Sequence, residues 1–215
     1  LVPYSEWFGA SNWVKLGAGA GSVPVISHNY ATSPEGVQNA TRVQLNLNGG
    51  TSSSDQSLFY DDLGAKTGDF TRSVYIKSLT SDVDLYFGGT LTDKKIITAT
   101  NEWQRFDFKS TLSAATLYAT IGLRGTTGSS DSADILVYGF QAEAGSYISS
   151  YIPNHGTSGG VTRAADLMYT GPTDLGGGSV GTLMVEIERI AIDTANTGAG
   201  VQLLTSSDNE EIRLH

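Results

Sequence analysis

Apolar residues recur in this chain with a period of two, and no stretch shows the i, i+3, i+4, i+7 spacing of an amphipathic helix over three turns. In Phe70-Thr71-Arg72-Ser73-Val74-Tyr75-Ile76-Lys77, Val74 and Ile76 fall on one face and Ser73, Tyr75 and Lys77 on the other. Val83-Asp84-Leu85-Tyr86-Phe87 and Leu117-Tyr118-Ala119-Thr120-Ile121-Gly122-Leu123-Arg124 repeat the pattern. Their inward residues are Val83, Leu85 and Phe87, then Leu117, Ile121 and Leu123. Ile135-Leu136-Val137-Tyr138-Gly139-Phe140 is apolar on both faces and reads as a central strand. Between these runs lie turn clusters: Asn48 to Asp55, Gly88-Gly89 and Gly125 to Asp131. The 26 glycines, about 12% of the chain against a usual ~7%, are the residues such turns need. Ser110–Thr116 is the one helical or turn candidate before residue 160. The pattern predicts an all-β chain, an antiparallel sandwich or barrel.

A second shift in composition follows Tyr151. Ile152 to Gly160 and Asp174 to Ser179 are rich in glycine, and after Gly181 the run Thr182-Leu183-Met184-Val185-Glu186-Ile187 alternates like a new strand. Two or three strands bury no core of their own. The expected organisation is a β domain over 1–151, a connector over 152–180, and an incomplete β segment of a second domain over 181–215.

Several functions are excluded or disfavoured by composition. With no cysteine there is no disulfide framework and no thiol nucleophile. A formal net charge of -9 opposes binding to nucleic acid or anionic lipid, because neutralising phosphates takes clustered Lys and Arg. No run of 18 apolar residues offers a spanning helix. Leu1 to Glu6 lacks the basic and apolar regions of a secretory signal, so none is expected here.

Catalytic signals are equally thin. His28, His155 and His215 are scattered, with no partner at metal-ligand spacing. Gly17-Ala18-Gly19-Ala20-Gly21 leads into a strand rather than a helix, so no helix N-terminus waits to hold a phosphate. Asp61-Asp62, Asp82 with Asp84, and Glu210-Glu211 are carboxylate pairs, but 22 acidic residues make chance pairs common. Asp61-Asp62, read as a loop, also suits Ca²⁺, although no ordered Asp-x-Asp-x-Asp-Gly loop is present.

The aromatic residues say more. Tyr75, Tyr86 and Tyr118 occupy polar faces of three strands, beside Lys77, Asp84, Thr120 and Arg124. A sugar binds by stacking its C–H face on a ring while polar side chains hold its hydroxyls. These five residues, Tyr75, Lys77, Tyr86, Tyr118 and Arg124, are the candidate carbohydrate site. The same placement also serves cross-strand packing or a protein interface. Trp7, Trp13, Trp103, Phe106 and Phe108 read as core or strand-edge packing.

The order of short motifs resembles a known module. Tyr4-Ser5-Glu6-Trp7, Ser11-Asn12-Trp13-Val14-Lys15, Val25 to Asn29, Ser33-Pro34-Glu35-Gly36 and Ala40-Thr41-Arg42-Val43 are followed by the strand Phe70 to Lys77. Then come Trp103-Gln104-Arg105-Phe106 and Gly139 to Gly145. This series resembles the carbohydrate-binding-module-like jelly rolls of bacteriophage tail and fibre proteins. Ser149 to Pro153 with Val161 to Asp166 resembles the exit from that module, and Gly181 to Glu186 the first strand of a laminin-G or concanavalin-A-like domain. The resemblance implies a jelly-roll β-sandwich on the virion surface, without catalysis, adsorbing the phage to a host cell-surface glycan. It implies neighbouring virion proteins and a homo-oligomer, commonly a trimer, as partners. The other roles open to such a module are architectural decoration of a capsid or tail, and the non-catalytic part of a polysaccharide depolymerase. Related modules hold a structural Ca²⁺ with an acidic residue of the last strand. Here that strand reads Val137-Tyr138-Gly139-Phe140, so a Ca²⁺ site is left unassigned and no other cofactor is implied.

Overall fold

The computed structural model describes residues 2–157, 160–162, 201–204 and 211–214. The chain divides into two compact units, Leu1–Ala164 and Ala165–His215. Among the described residues every regular element is a strand. The first unit contains β1 (Trp13–Ala18), β2 (Val25–Ala31), β3 (Ala40–Asn46), β4 (Gln56–Ser78), β5 (Val83–Gly88), β6 (Lys94–Ala99), β7 (Gln104–Arg124) and β8 (Ser132–Ala144).

Two strands of more than twenty residues build the sandwich. β4 and β7 pair antiparallel from Gln56↔Arg124 to Ile76↔Gln104, with register shifts between Asp62 and Ala65 and between Lys66 and Gly68. Beyond those shifts the same two strands join different neighbours. The first half of β4 pairs with β1, and the second half of β7 pairs with β5, which carries β6. The second half of β4 pairs with β8, which carries β3 and then β2. We call these layer A (β1-β4-β7-β5-β6) and layer B (β2-β3-β8-β4-β7). The result is an antiparallel β-sandwich of jelly-roll type: the two-residue period predicts a sandwich or barrel, and the jelly roll is what the resemblance implies.

The layers meet through aromatic rings. Trp13 of β1 lies 5.1 Å from Phe59 of β4 and 5.5 Å from Phe140 of β8, while Phe87 of β5 lies 5.9 Å from Phe140. Val74, Ile76, Val83, Leu85, Leu117, Ile121 and Leu123 join the same core, on the faces that alternation assigns them. β8 sits between β3 and β4, which explains why its sequence is apolar on both sides.

Three expectations are corrected. Ser110–Thr116 is neither helix nor turn but the middle of β7, where Ala114 takes a φ of 50° and the ribbon shifts register against β4. Asp61 and Asp62 are not in a loop; they lie in β4, and Asp61 is buried and accepts a 2.7 Å hydrogen bond from Asn12 Nδ2. Trp7 is 56% exposed and touches Tyr4 edge-on, whereas Trp13 is in the core. Phe106 and Phe108 pack against the core as expected.

After β8 the chain turns back over the outer face of layer B. Gly139, at a φ of 62°, forms a bulge where Ser73↔Gln141 gives way to Tyr75↔Tyr138, and the Tyr151 ring rests on it. The Tyr151 hydroxyl donates to Glu6 Oε1 at 2.9 Å, Asn154 Nδ2 donates to the Val2 carbonyl, and Tyr4 bridges to His155. The first residues of the expected connector are thus built into the first unit. In the second unit β9 (Val201–Leu204) and β10 (Glu211–Leu214) form an antiparallel pair. The expected strand over Gly181 to Glu186 lies outside the described residues.

Two measurements check this fold. Gly139→Ala places a side chain in the left-handed region and its Cβ about 3.1 Å from the Tyr151 ring, so thermal unfolding should show a loss of at least about 1–2 kcal/mol. Burial pushes the Asp61 carboxyl above its ordinary value, with the Asn12 hydrogen bond opposing. The folded state therefore holds that proton more tightly than the unfolded chain does, and ionised Asp61 costs stability once pH rises above the unfolded value. Asp61→Asn should raise the unfolding temperature near neutral pH, and the gain should vanish below about pH 4.

Candidate functional site

On layer A the residues facing away from the core form cross-strand rows. Register places Leu16 opposite Leu58, Leu58 opposite Gly122, and Gly122 opposite Tyr86. The next row contains Val14, Tyr60, Thr120 and Gly88. Gln56 stands opposite Arg124 at one end of the face, and Asp62 opposite Tyr118 at the other. Six residues separate these ends, about 20 Å along an extended strand.

These rows line an open groove of about 470 Å³. Its floor is low because position 122 is glycine: a Cβ there would lie 2.6 Å from Leu58 Cδ2 and 2.3 Å from the Ser57 carbonyl. The Leu58 side chain lies across the strand in that space. One side of the groove carries Tyr60 and Tyr118, whose rings meet edge-to-face at 5.7 Å and are half-buried. The other carries the turn Gly89-Thr90-Leu91-Thr92, and Gln56 and Arg124 complete the lining.

The turn is fastened from below. Gly89 N–H donates to the Asp93 carbonyl at 2.7 Å, and the Tyr86 hydroxyl donates to the Thr90 carbonyl at 2.8 Å. Arg72 reaches it from layer B. Arg72 lies two residues before Val74 on the inward side of β4, and its guanidinium is wholly buried against the Phe108 ring. It donates to Asp93 Oδ2 at 3.1 Å, to the Tyr118 carbonyl at 2.9 Å and to Ser110 Oγ. Ser110 in turn donates to Asp93 Oδ1 at 2.6 Å. Burial pulls the Arg72 guanidinium down from its ordinary value, and the Asp93 charge opposes that pull. One buried cation therefore holds both sides of the groove, the Tyr118 backbone and the Thr90 turn.

Arg124 is held by neutral groups. Its Nε donates to the Ser53 carbonyl at 3.1 Å, and its guanidinium lies 5.8 Å from the centre of the Tyr86 ring. Tyr86 itself is closed to solvent beneath Arg124 and the turn. Burial pushes its phenol up, against the influence of Arg124.

The structure divides the five sequence candidates between the two layers. Tyr86, Tyr118 and Arg124 come together at the groove, with Tyr118 and Arg124 in its lining and Tyr86 as buried support. Tyr75 and Lys77 lie on the outer face of layer B. Tyr75 packs there against Tyr138 and Tyr151, with Arg105 over its ring at 5.4 Å. It supports the returning chain, and the thickness of the sandwich separates it from the groove. Tyr60, Leu58, Gln56, the Thr90 turn and Arg72 are additions that sequence reasoning missed. Leu58-Phe59-Tyr60 is apolar on both faces and so hides its alternation, whereas an arginine in phase with Val74 and Ile76 was a readable signal. Among the described residues no group of three or more His, Asp or Glu side chains is arranged to hold a metal ion.

No family model matches the chain, and no curated protein matches it. Among solved structures it is similar to the Family 11 carbohydrate-binding module of the cellulosomal cellulase Lic26A-Cel5E of Clostridium thermocellum. That match is 11% identical, spans 68% of this chain and 95% of that one, and has a TM-score of 0.44. A Family 11 module from the same organism, in complex with a β-1,3-1,4-mixed-linked tetrasaccharide, is 12% identical over 66% of this chain and 93% of that one, with a TM-score of 0.45. The enzymatically active domain of tailspike protein 4 of bacteriophage CBA120 is 10% identical over 65% of this chain and 20% of that one, with a TM-score of 0.37.

Removing Asp93 tests the support beneath it. Asp93→Ala leaves the Arg72 guanidinium buried without a counter-charge, and chemical denaturation should report a loss of about 3 kcal/mol. Replacing both residues by apolar ones of similar volume should recover much of that loss.

Proposed function

We propose that the first unit is a non-catalytic glycan-binding module whose ligand lies along the layer A groove. The observation that carries this reading is the lining itself. Two tyrosine rings, a leucine floor and hydroxyl, amide and guanidinium groups share one open channel about 20 Å long. A sugar chain alternates apolar C–H faces with hydroxyls, and a surface that matches it needs both kinds of group within a few ångströms. Rings that offer an apolar body beside polar groups supply this combination. Among the described residues that line the groove there is no carboxylate, whereas acid/base cleavage of a glycoside uses a pair of them across the bond.

The biological setting we propose is adsorption at a virion surface, in a tail or fibre, with other virion proteins and further copies of this chain, a trimer among the possible assemblies, as neighbours. The support for that setting is the sequence resemblance. The physics is compatible with it: a shallow, open groove binds weakly, and many copies on one particle raise avidity by roughly 10²–10⁴.

Glycan-array screening of the full chain, followed by titration of the best ligand, tests the module. Tyr118→Ala and Tyr60→Ala should each weaken binding about tenfold or more, the scale of truncating an aromatic contact that matters. Unchanged affinity in both variants would move the site elsewhere. If no glycan binds and Tyr118 proves to lie under a neighbouring subunit, the module is architectural.

A further inference from the structure

We infer that the groove selects a glycan bearing carboxylates, a uronic-acid chain, and that Arg124 is the residue that reads the carboxylate. The inference rests on the glycan-binding reading above and adds the charge of the ligand to it.

The observation is a cation kept apart from anions in an acidic chain. Asp and Glu outnumber Lys and Arg by 22 to 13, so carboxylates are plentiful in this chain. Arg42 pairs with Asp134 near the surface and Arg72 with Asp93 in the interior, whereas Arg105 spends its guanidinium on the Ser149 carbonyl and the Ser73 hydroxyl. Among the described residues no carboxylate lies within ion-pair distance of Arg124. Asp84, on the neighbouring strand, accepts a 2.6 Å hydrogen bond from the Thr98 hydroxyl instead. Asp62 faces the same side of layer A but stands at the opposite end, about 20 Å away, where it accepts from the Gly64 N–H.

Arg124 is also oriented. Its Nε is committed to the Ser53 carbonyl and its guanidinium also interacts with the Tyr86 hydroxyl, which leaves the remaining Nη N–H groups for a ligand. Two parallel N–H groups match the two oxygens of a carboxylate, and the planar fork loses little freedom on pairing. Gln56, directly opposite, offers an amide to a neighbouring hydroxyl. Lys94, which donates to the Leu91 carbonyl of the turn, adds a second positive charge. The ligand is thereby given a direction, with its carboxylate at the Gln56–Arg124 end and a neutral sugar face against Tyr60 and Tyr118. The net charge of -9 does not forbid this, because charges further apart than about 10 Å are largely screened near 0.1 M salt.

The test is direct binding of the full chain to oligogalacturonate, oligoalginate and hyaluronan fragments, to their carboxyl methyl esters, to a neutral gluco-oligosaccharide and to a sulfated galactan. At least one uronate ligand should bind, and esterification should weaken it about tenfold or more, the scale of a hydrogen-bonded charge. Arg124→Gln should produce a similar loss for the acid and almost none for the ester. Lys95→Gln removes the same charge from an exposed side chain on the other face of layer A, and should change neither. Neutral glycan binding that Tyr118→Ala weakens and Arg124→Gln spares would overturn the carboxylate inference and leave the groove reading intact. Equal binding of acid and ester, or preference for the sulfated chain, would also overturn it. Failure of every glycan to bind would overturn both.

Discussion

The guanidinium of Arg72 leaves the inner face of layer B, in phase with Val74 and Ile76, and ends on groups that belong to layer A. Its desolvation is costly, and the Asp93 carboxylate, the Ser110 hydroxyl and the Tyr118 carbonyl offset part of that cost, while its Nε is buried without a hydrogen-bond partner. An apolar side chain of equal volume would hold the two layers together as well, since a buried ion pair rarely exceeds hydrophobic packing in stability. What it would not do is set the Tyr118 backbone and the Thr90 turn at a defined separation. The width of the groove depends on that separation, so the polar tie contributes position more than cohesion.

The rest of the groove follows from how β4 and β7 are shared. Each strand serves both layers, and the register shifts near Asp62 and Lys66 allow the ribbon to pass from one to the other. The same shifts end the flat part of layer A, and the last row before them carries Tyr118. At the other end the face closes on Arg124, whose carbonyl accepts hydrogen bonds from the Thr127 and Ser129 hydroxyls of the following turn. Between these limits Gly122 removes one side chain from the floor. A ligand-sized channel thus arises from two bends, one missing Cβ and one buried arginine.

Alternation made most of the sandwich readable. Val74, Ile76, Val83, Leu85, Leu117 and Ile121 are inward in sequence and in structure, because side chains on a pleated strand must take opposite faces. Ser110–Thr116 does not read as a strand because only Ser110 and Leu112 of it are buried, and the exposed Ser113 to Ala115 have no core face to impose the period. Tyr75 and Tyr118 look equivalent by the same rule, each a tyrosine on a polar strand face. They differ because outward from layer B means beneath the returning chain at Tyr151, and outward from layer A means open groove.

Local chemistry determined the fold class and which side of each strand is wet, since periodicity, turn residues and the lack of cysteine are properties of short stretches. It also placed Tyr118 and Arg124 on one wet strand face. Tertiary structure decided that Tyr60 stands beside Tyr118, that Tyr86 is buried support, and that Arg72 spans the layers. Those relations join residues from 21 positions apart, as Arg72 is from Asp93, to 58, as Tyr60 is from Tyr118, and no local pattern encodes them. Face is a property of one strand, whereas neighbourhood is a property of how the strands are ordered.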